Sequence, residues 1–247
     1  MKKVVAVIPA RYKSTRFPAK PLSLIHGKYM IQWVYERVSK VEEISDTYVA
    51  TDDARIYDAV ISFGGKAIMT SEVHQSGTDR ITEAIGKIEE SFEIVLNIQG
   101  DEPMIKTEMI KTLISAFNDD QVEMATLKKE ITEMDEINNP NIAKVITDKE
   151  DNAIYFSRSV IPFNRDNRAN IKYFKHIGVY GYKKEFIKTF SSLGQSSLEV
   201  FEQLEQLRAL ENGYKIRVLE TKHQSIGVDL PEHIQIVETE MIKEGLV

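Results

Sequence analysis

The chain has 247 residues, enough for one large α/β domain with a sizeable core. With 42% hydrophobic and 28% charged residues, the composition is that of a globular protein and argues against intrinsic disorder. The chain has no cysteine, which excludes disulfides, cysteine nucleophiles and thiolate metal sites, and which agrees with a reducing cytoplasm.

Charge is distributed unevenly along the chain. Residues 1–35 contain seven Lys or Arg and no Asp or Glu, whereas the remainder contains 25 Lys or Arg against 38 acidic residues. The net charge of −6 argues against nucleic acid as a general partner, while the cationic N-terminal stretch favours a small polyanion. The alternative interpretation is a solvated charge run, the usual role of scattered lysines.

The first apolar run covers only residues 4–9, which is too short for a signal-peptide core or a membrane span. We interpret it as the first strand, and we expect a cytoplasmic protein without membrane insertion. Apolar runs then recur so that strands alternate with helices. The predicted strands are 4–8, 47–51, 66–69 and 93–99, and the predicted helices are 30–38, 55–63, 80–88 and 109–117. This alternation predicts a doubly wound, mostly parallel sheet that binds ligands at the carboxyl ends of its strands.

After about residue 120 the pattern changes to longer extended segments. These are 122–130, 142–148, 153–163 and 172–184, followed by a helix near Leu198–Glu211 that ends at Gly213 and a last helix from Pro231. We expect a mixed-sheet extension in this half. No Gly/Pro/Ser-rich hinge separates the halves, so we predict a single domain, 1–247, with an α/β insertion at about 120–200.

The loop after the first strand carries Arg11 and Lys20 as charged donors and Ser14 and Thr15 as hydroxyl donors. Prolines stiffen the backbone around them. The loop has neither the G-x-G-x-x-G of a dinucleotide fold nor the G-x-x-x-x-G-K-[ST] of a P-loop. Rigid cations at a strand end suit a triphosphate.

Two aspartates follow apolar runs and precede prolines. Asp101, in NIQGDEPMI, follows a strand, where a carboxylate can hold Mg²⁺ against phosphate oxygens. Asp229, in GVDLPE, has the same pattern, so the two could meet at one site, although the local pattern of Asp229 alone favours a helix cap. In the alternative interpretation each is a helix N-cap, because Asp before Pro is a common helix start.

The polar segment HQSGTDR, residues 74–80, precedes a predicted helix. Its backbone donors and the hydroxyl of Ser76 or Thr78 are suited to an anion or a base edge. Capping of the helix by Thr78 or Asp79 is the alternative, and both roles are compatible.

The later extended segments supply Arg158, His176 and Tyr180. Arginine offers a fork for a carboxylate, whereas a lone histidine in this pattern is more often a partly buried strand residue. The helix near 198–211 carries acidic residues that we interpret as a mainly solvated face: Glu199, Glu202 and Glu205.

The segment IPARYKSTRFPAKPL, residues 8–22, resembles the signature of the 3-deoxy-manno-octulosonate (Kdo) cytidylyltransferase family. The resemblance continues through YVATDD (48–53), HQSGTDR (74–80), NIQGDEPMI (97–105), YFSRSVIPF (155–163), KHIGVYGY (175–182), LEQLRALENGYKI (204–216) and GVDLPE (227–232). Several blocks in one order, spanning nearly the whole chain, make chance resemblance improbable.

The resemblance implies transfer of a cytidylyl group from CTP to the acidic sugar Kdo for lipopolysaccharide assembly, with Mg²⁺ as cofactor held by Asp101 and Asp229. It also implies a homodimer. The insertion at about 120–200 is expected to carry both the dimer contacts and contacts to the sugar. The implied catalytic residues are Arg11, Lys20, Asp101 and Asp229. The implied nucleotide-binding residues are Ala10, Arg11, Ser14, Lys20, Gln75, Ser76 and Gly77. The implied sugar-binding residues are Arg80, Gln99, Arg158, His176, Tyr180 and Glu202.

Three residues depart from the family pattern. Ala19 replaces a common glycine, and Leu230 and His233 alter the last motif. We expect the loop to keep its function if Ala19 has a negative φ, because alanine adopts positive φ only at a cost.

The alternative functions are a cytidylyltransferase for an 8-amino or sialic-acid-like sugar, a nucleotide-sensing domain without turnover, and an NAD-linked oxidoreductase. The missing glycine fingerprint counts against the last.

Overall fold

The structure is a computed structural model that describes residues 2–13, 17–74, 76–166, 168–169 and 171–247. The first half contains, in chain order, β1 (Val4–Ala10), β2 (Leu24–Ile25), β3 (Lys28–Tyr29), α1 (Met30–Val38), β4 (Ile44–Thr51), α2 (Ala54–Ser62), β5 (Lys66–Met69), α3 (Gly77–Ile85), β6 (Ile94–Asn97) and α4 (Thr107–Ser115). The second half contains β7 (Met124–Ile131), α5 (Met134–Asn138), β8 (Lys144–Thr147), β9 (Ala153–Ser157), β10 (Tyr173–Lys183), α6 (Lys184–Ser192), α7 (Ser197–Glu202), α8 (Leu207–Glu211), β11 (Arg217–Glu220) and α9 (His233–Lys243).

The chain divides into two compact units. The first comprises Met1–Lys111 and Gln224–Val247, and the second comprises Thr112–His223. The prediction of one functional domain with an insertion at about 120–200 stays a prediction. In the described residues no helix is long and apolar enough to cross a membrane.

The sheet of the first unit is parallel and has β1 in its interior. β1 pairs with β4 on one side and with β6 on the other, and β4 pairs with β5. All four residues of β6 and six of the seven residues of β1 are buried, which explains why both segments are continuous apolar runs. The chain changes direction across the sheet between β1 and β6, so a binding crevice is expected at Ala10 and Asn97, where these strands end.

A cluster of buried apolar side chains in the first unit fixes the segment before α9. Val228 is fully buried in it, together with Trp33 of α1 and with Val237 and Met241 of α9. The indole Nε1 of Trp33 donates to the carbonyl of Ile25 at 2.8 Å, which fixes the orientation of the ring. Burial of Val228 therefore fixes the backbone immediately before Asp229.

The sheet of the second unit is mixed. β7 pairs in parallel with β11 and antiparallel with β10, and β8 pairs antiparallel with β9 and β10. The β7–β10 register shifts between Ile177 and Tyr180, where β10 has extra residues. The prediction of a doubly wound, mostly parallel sheet with a mixed extension is confirmed.

The single helix predicted near Leu198–Glu211 is wrong. The structure has α7 and α8 instead, because Gln203 adopts φ 54° and ends the first of them. Phe201 is 82% exposed, so it does not belong to the core that helical spacing predicts. Gly213 has φ 80° directly after α8, as predicted for a residue that ends a helix.

The predicted solvated acidic face of this region is also wrong for Glu199. This residue is 6% exposed, and its carboxylate accepts from Arg208 Nη2 at 2.6 Å and Nε at 2.9 Å. It also accepts from the backbone of Ser196 in a capping box at the start of α7. A buried arginine that approaches from nine residues away offsets the cost of removing the carboxylate from water.

Ala19 adopts the left-handed conformation, with φ 57° and ψ 18°. The condition that we set on its φ is therefore not met. An alanine in this region costs roughly 1–2 kcal/mol relative to the right-handed region. The loop offsets this cost with backbone hydrogen bonds from Ala19 N to Tyr12 O at 2.9 Å and from Leu22 N to Ala19 O at 2.8 Å.

Candidate active site

A cleft of about 460 Å³ opens in the first unit, where β1 and β6 end. It is lined by Pro9, Ala10, Arg11, Lys13, Lys20, Pro21, Gly77, Arg80, Gln99, Gly100, Asp101 and Asp229. The parallel strands end at this edge, so residues more than 200 positions apart in the sequence meet in one cleft. Eight of the residues implied by the resemblance line it.

Lys20 links three segments of this cleft. Its Nζ donates to Asp101 Oδ2 at 2.6 Å and to the carbonyl of Val228 at 2.9 Å. The backbone N–H of Val228 in turn donates to the carbonyl of Asp101 at 2.8 Å. The lysine is held by these contacts, so its charge has a fixed place in the cleft.

Asp101 and Asp229 lie in the same cleft, and neither begins a helix. After Asp101 the next helix of the described chain, α4, begins at Thr107, while α9 begins at His233 with Glu232 as its N-cap. The capping interpretation of both aspartates is therefore wrong. The backbone N–H of Asp229 donates to Nδ1 of His233 at 3.1 Å, so a residue that departs from the family pattern supports this segment.

The two aspartates fit a magnesium ion that is bound together with a nucleotide. The described residues contain no group of three or more acidic, histidine or cysteine ligands that could hold a metal alone. Mg²⁺ is commonly held by only one or two carboxylates together with substrate phosphates and waters. Asp101 and Asp229 match that smaller donor set.

Glu102 adds a third carboxyl group behind these aspartates. Desolvation raises its pKa to about 7, and the negative charges of Asp101 and Asp229 act in the same direction. The raised pKa of Glu102 therefore reflects mainly the burial of its carboxyl group, and the two aspartates add to it. A bound cation would offset the negative charges of Asp101 and Asp229.

Arg80 lines the cleft from a fully buried position. Its guanidinium donates to Asp52 Oδ2 at 2.7 Å and to Thr70 Oγ1 at 2.5 Å, and no described residue accepts from its Nε. The sequence predicts a role for Arg80 but none for Asp52. Asp52 directly follows β4, which pairs in parallel with β1, so it lies at the same edge of the sheet as the cleft. Its position at the end of a strand is the sequence signal that could have identified it.

The predicted nucleotide-binding residues before α3 are placed in part. Ser76 is the N-cap of α3 and accepts from Asp79 N at 3.1 Å, so the predicted cap by Thr78 or Asp79 is wrong, and Gly77 lines the cleft. Ser14 and Gln75, like Thr15, lie outside the described residues. Their nucleotide contacts stay predictions.

Gly100 and Gln99 form the floor of the cleft after β6. A Cβ on Gly100 would lie 3.1 Å from the carbonyl of Pro9 and 3.2 Å from Ile31 Cδ1. Glycine is therefore required for close packing of the strand ends. The side-chain amide of Gln99 donates to Asn97 Oδ1 at 3.1 Å, which fixes its orientation in the cleft.

The second unit contains the other predicted sugar residues, beginning with Arg158 and Glu202. Nε of Arg158 donates to the carbonyl of Glu202 at 2.7 Å, and its terminal nitrogens lie 3.2–3.3 Å from the carbonyls of Pro140, Asn141 and Gln203. The carboxylate of Glu202 accepts from Ser157 Oγ at 2.6 Å and from Arg158 N at 2.9 Å. These contacts join three loops, and the sugar-binding roles of both residues stay predictions.

Arg158→Ala is expected to lower the free energy of unfolding by about 2 kcal/mol, because main-chain carbonyls lose a charged donor. Thermal unfolding followed by circular dichroism should show a loss of roughly 5 °C. Arg168→Ala is the matched control, because the Arg168 side chain is 81% exposed in its ion pair with Asp166. An unchanged melting temperature together with a raised KM for the sugar would instead assign the guanidinium to substrate.

His176 and Tyr180 lie on β10 with their rings 5.4 Å apart. Desolvation lowers the pKa of His176 to about 3, so its imidazole is neutral at physiological pH. Burial raises the pKa of Tyr180 well above its ordinary value, and the charge of Glu205 acts in the same direction. Tyr180 is thus a neutral phenol, and Glu205 is the glutamate whose charge acts on it.

Known proteins are similar to this chain in sequence and in fold. The family model described as cytidylyltransferase matches residues 5–216. A Kdo cytidylyltransferase of Fusobacterium nucleatum is 54% identical over 236 residues, covering 95% of both chains, and one of Syntrophus aciditrophicus is 50% identical over the same shares. The chain belongs to the Kdo cytidylyltransferase family. The family's members are nucleotidyltransferase enzymes, and this chain is one of them.

A solved structure agrees with this family assignment. CMP:2-keto-3-deoxy-manno-octonic acid synthetase, solved as a complex with CTP, is 44% identical and superimposes with a TM-score of 0.93 over 98% of this chain and 99% of that one. This chain therefore has the fold of that synthetase over nearly its whole length.

Proposed function

We propose that the chain transfers the cytidylyl group of CTP to Kdo, giving CMP-Kdo and pyrophosphate. The observation that carries the proposal is the cleft, in which Arg11 and Lys20 lie with Asp101 and Asp229 in a chain of this family. Cations beside carboxylates at a strand edge suit a metal-bound triphosphate. The relatives are named for the same reaction, and this chain matches 95% of the length of each.

The reaction needs little covalent chemistry from the protein. The anomeric hydroxyl oxygen of the sugar attacks the α-phosphorus, the bond from that phosphorus to the bridging oxygen breaks, and the hydroxyl proton passes to solvent. Lys20 and Arg11 stabilise the negative charge that develops on the departing pyrophosphate. Ala10 and Gly77 present main-chain atoms to the nucleotide, while Ser76 holds the start of α3.

Asp101 and Asp229 would hold the magnesium ion. When bound, Mg²⁺ polarises the α-phosphate and lowers the pKa of the attacking hydroxyl, so that a strong general base is not needed. Arg80 and Gln99 contribute polar groups to the cleft, and Arg158, His176, Tyr180 and Glu202 are proposed for the sugar.

Pyrophosphate release from each nucleoside triphosphate, with and without Kdo, tests the proposal. We expect release only with Kdo and a preference for CTP over UTP of about a hundredfold or more, because polar groups that pair with cytosine are left unpaired against uracil. Equal turnover of the two nucleotides would contradict the proposal. Release with an 8-amino or sialic-acid-like sugar, but not with Kdo, would retain the reaction and change the substrate.

We further propose a homodimer located in the cytoplasm, whose product serves lipopolysaccharide assembly. Two phenylalanines of the second unit support an interface there, since Phe163 is 83% and Phe201 is 82% exposed. The absence of cysteine agrees with the location. Light scattering of the purified chain measures the oligomeric state directly.

A further inference from the structure

Thr126 lies on β7, opposite the irregular part of β10, with a fully buried side chain. Its Oγ1 lies 2.8 Å from the carbonyl oxygen of Val179, 3.0 Å from that of Ile177 and 3.0 Å from Nε2 of His176. The register shift in β10 turns both carbonyls toward this one hydroxyl. Three polar atoms therefore converge on a group that has a single proton.

The number of protons decides which atom donates to which. Carbonyl oxygens only accept, so Thr126 must give its proton to Val179 or Ile177 if either is to be satisfied by this hydroxyl. Its lone pairs then accept, and Nε2 of His176 has to carry a hydrogen. If Nε2 were the acceptor instead, Thr126 would point its proton at the ring and its lone pairs would face two carbonyl oxygens, all in a buried site.

The other ring nitrogen agrees with this assignment. Nδ1 of His176 lies 3.5 Å from Nε2 of Gln206, at the long limit of a hydrogen bond, and this amide nitrogen is a donor. The ring of Phe156 meets the imidazole edge to face at a centroid distance of 5.0 Å, which restricts its rotation. Because the imidazole is neutral, one of its nitrogens is an acceptor, and Nδ1 is the one left with a lone pair.

We propose that Thr126 is a positioning residue that fixes the hydrogen of His176 on Nε2 and makes Nδ1 an acceptor, which faces the amide of Gln206 at 3.5 Å in the free protein and accepts from a hydroxyl group of the sugar acid in its place when the sugar binds. The part that concerns the sugar rests on the proposed function, whereas the part that concerns the tautomer does not. A neutral acceptor cannot form an ion pair with the sugar carboxylate. His176 therefore selects for a hydroxyl donor.

Nitrogen-15 NMR of the histidine rings in the ligand-free protein tests the tautomer. The chain has five histidines, and the signal that disappears in His176→Gln identifies the ring of interest. We expect a protonated Nε2 and an unprotonated Nδ1 from pH 5 to pH 9. A protonated Nδ1, or a mixture of tautomers, would overturn the proposal without any need for a Thr126 variant.

Kinetics of Thr126→Val and Thr126→Ser test the positioning role. Valine keeps the shape and removes the hydroxyl, so we expect mixed tautomers and a KM for Kdo raised about tenfold, with the KM for CTP and kcat changed less than about threefold, which is the effect of one lost hydrogen bond. Serine should restore the tautomer and most of the KM. Thr126→Ala serves as a second variant if valine prevents folding.

Thr47→Val is the matched control. Thr47 is a buried threonine on β4 whose hydroxyl has no hydrogen-bond partner among the described residues, so the same change should leave both tautomer and KM as they are. An unchanged His176 tautomer in Thr126→Val would overturn the proposal. If the wild-type enzyme failed to use Kdo, the proposed function would fail, and the NMR result would still decide what Thr126 does.

Discussion

Replacement of Asp101 or Asp229 by asparagine is expected to lower kcat by about two to three orders of magnitude, measured as pyrophosphate release at saturating CTP and Kdo. Asparagine keeps the size and much of the hydrogen bonding of aspartate but removes the charge. Both side chains line the cleft and neither caps a helix, so the lost charge should act on metal and transition state. Partial recovery at higher Mg²⁺, or with Mn²⁺, is expected for a weakened metal site.

The stability of these variants separates a metal site from a structural site. Asp101 keeps an acceptor for Lys20 when it becomes asparagine, and its carbonyl still accepts from Val228, so the melting temperature should change by no more than a few degrees. Asp58→Asn, on an exposed face of α2, is the control for loss of a negative charge and should have full activity. Near-normal turnover of Asp229→Asn at ordinary magnesium would leave Asp101 as the only proposed ligand.

The arrangement of the first unit could be predicted from the sequence because its signals are local and repeated. The helix predicted at residues 30–38 coincides with α1, and the apolar runs at 4–8 and 93–99 became the neighbouring strands β1 and β6. Once these strands are parallel neighbours, the residues that follow them must share one edge. This geometry brings Lys20 and Asp101 together.

The second unit was harder to predict because its stability depends on contacts between distant polar groups. The predicted sugar-binding fork of Arg158 is largely engaged with main-chain carbonyls, and the buried Lys144 donates to the carbonyl of Arg158 at 2.7 Å. Neither contact has a periodic signature in the sequence. The left-handed Gln203, which divides the predicted helix, has none either. Asp52 was missed for a related reason, since its partner Arg80 is 28 residues away.

Lys20→Met is expected to lower kcat by about two orders of magnitude, because the variant loses a fixed cation that faces the departing pyrophosphate. If the charge acts only in the transition state, the variant should show mainly a lowered kcat. If the charge also binds CTP in the ground state, the KM for CTP should rise as well. Lys20→Arg keeps the charge but differs in shape, so it should retain more activity than methionine without restoring it. Single-turnover measurements separate the chemical step from product release.

Lys20→Met should reduce the stability of the fold less than it reduces catalysis. The Lys20 side chain is 16% exposed and that of its partner Asp101 is 34% exposed, so water can solvate Asp101 once the lysine is gone, and the cost should stay near 1–2 kcal/mol. Lys28→Met is the matched control, since Lys28 forms an ion pair of similar length with Glu36 outside the cleft. A Lys20→Met protein that melts far below the wild type yet turns over almost normally would show that the contacts to Asp101 and Val228 serve the fold. The opposite result, a stable and inactive protein, would assign the charge of Lys20 to catalysis.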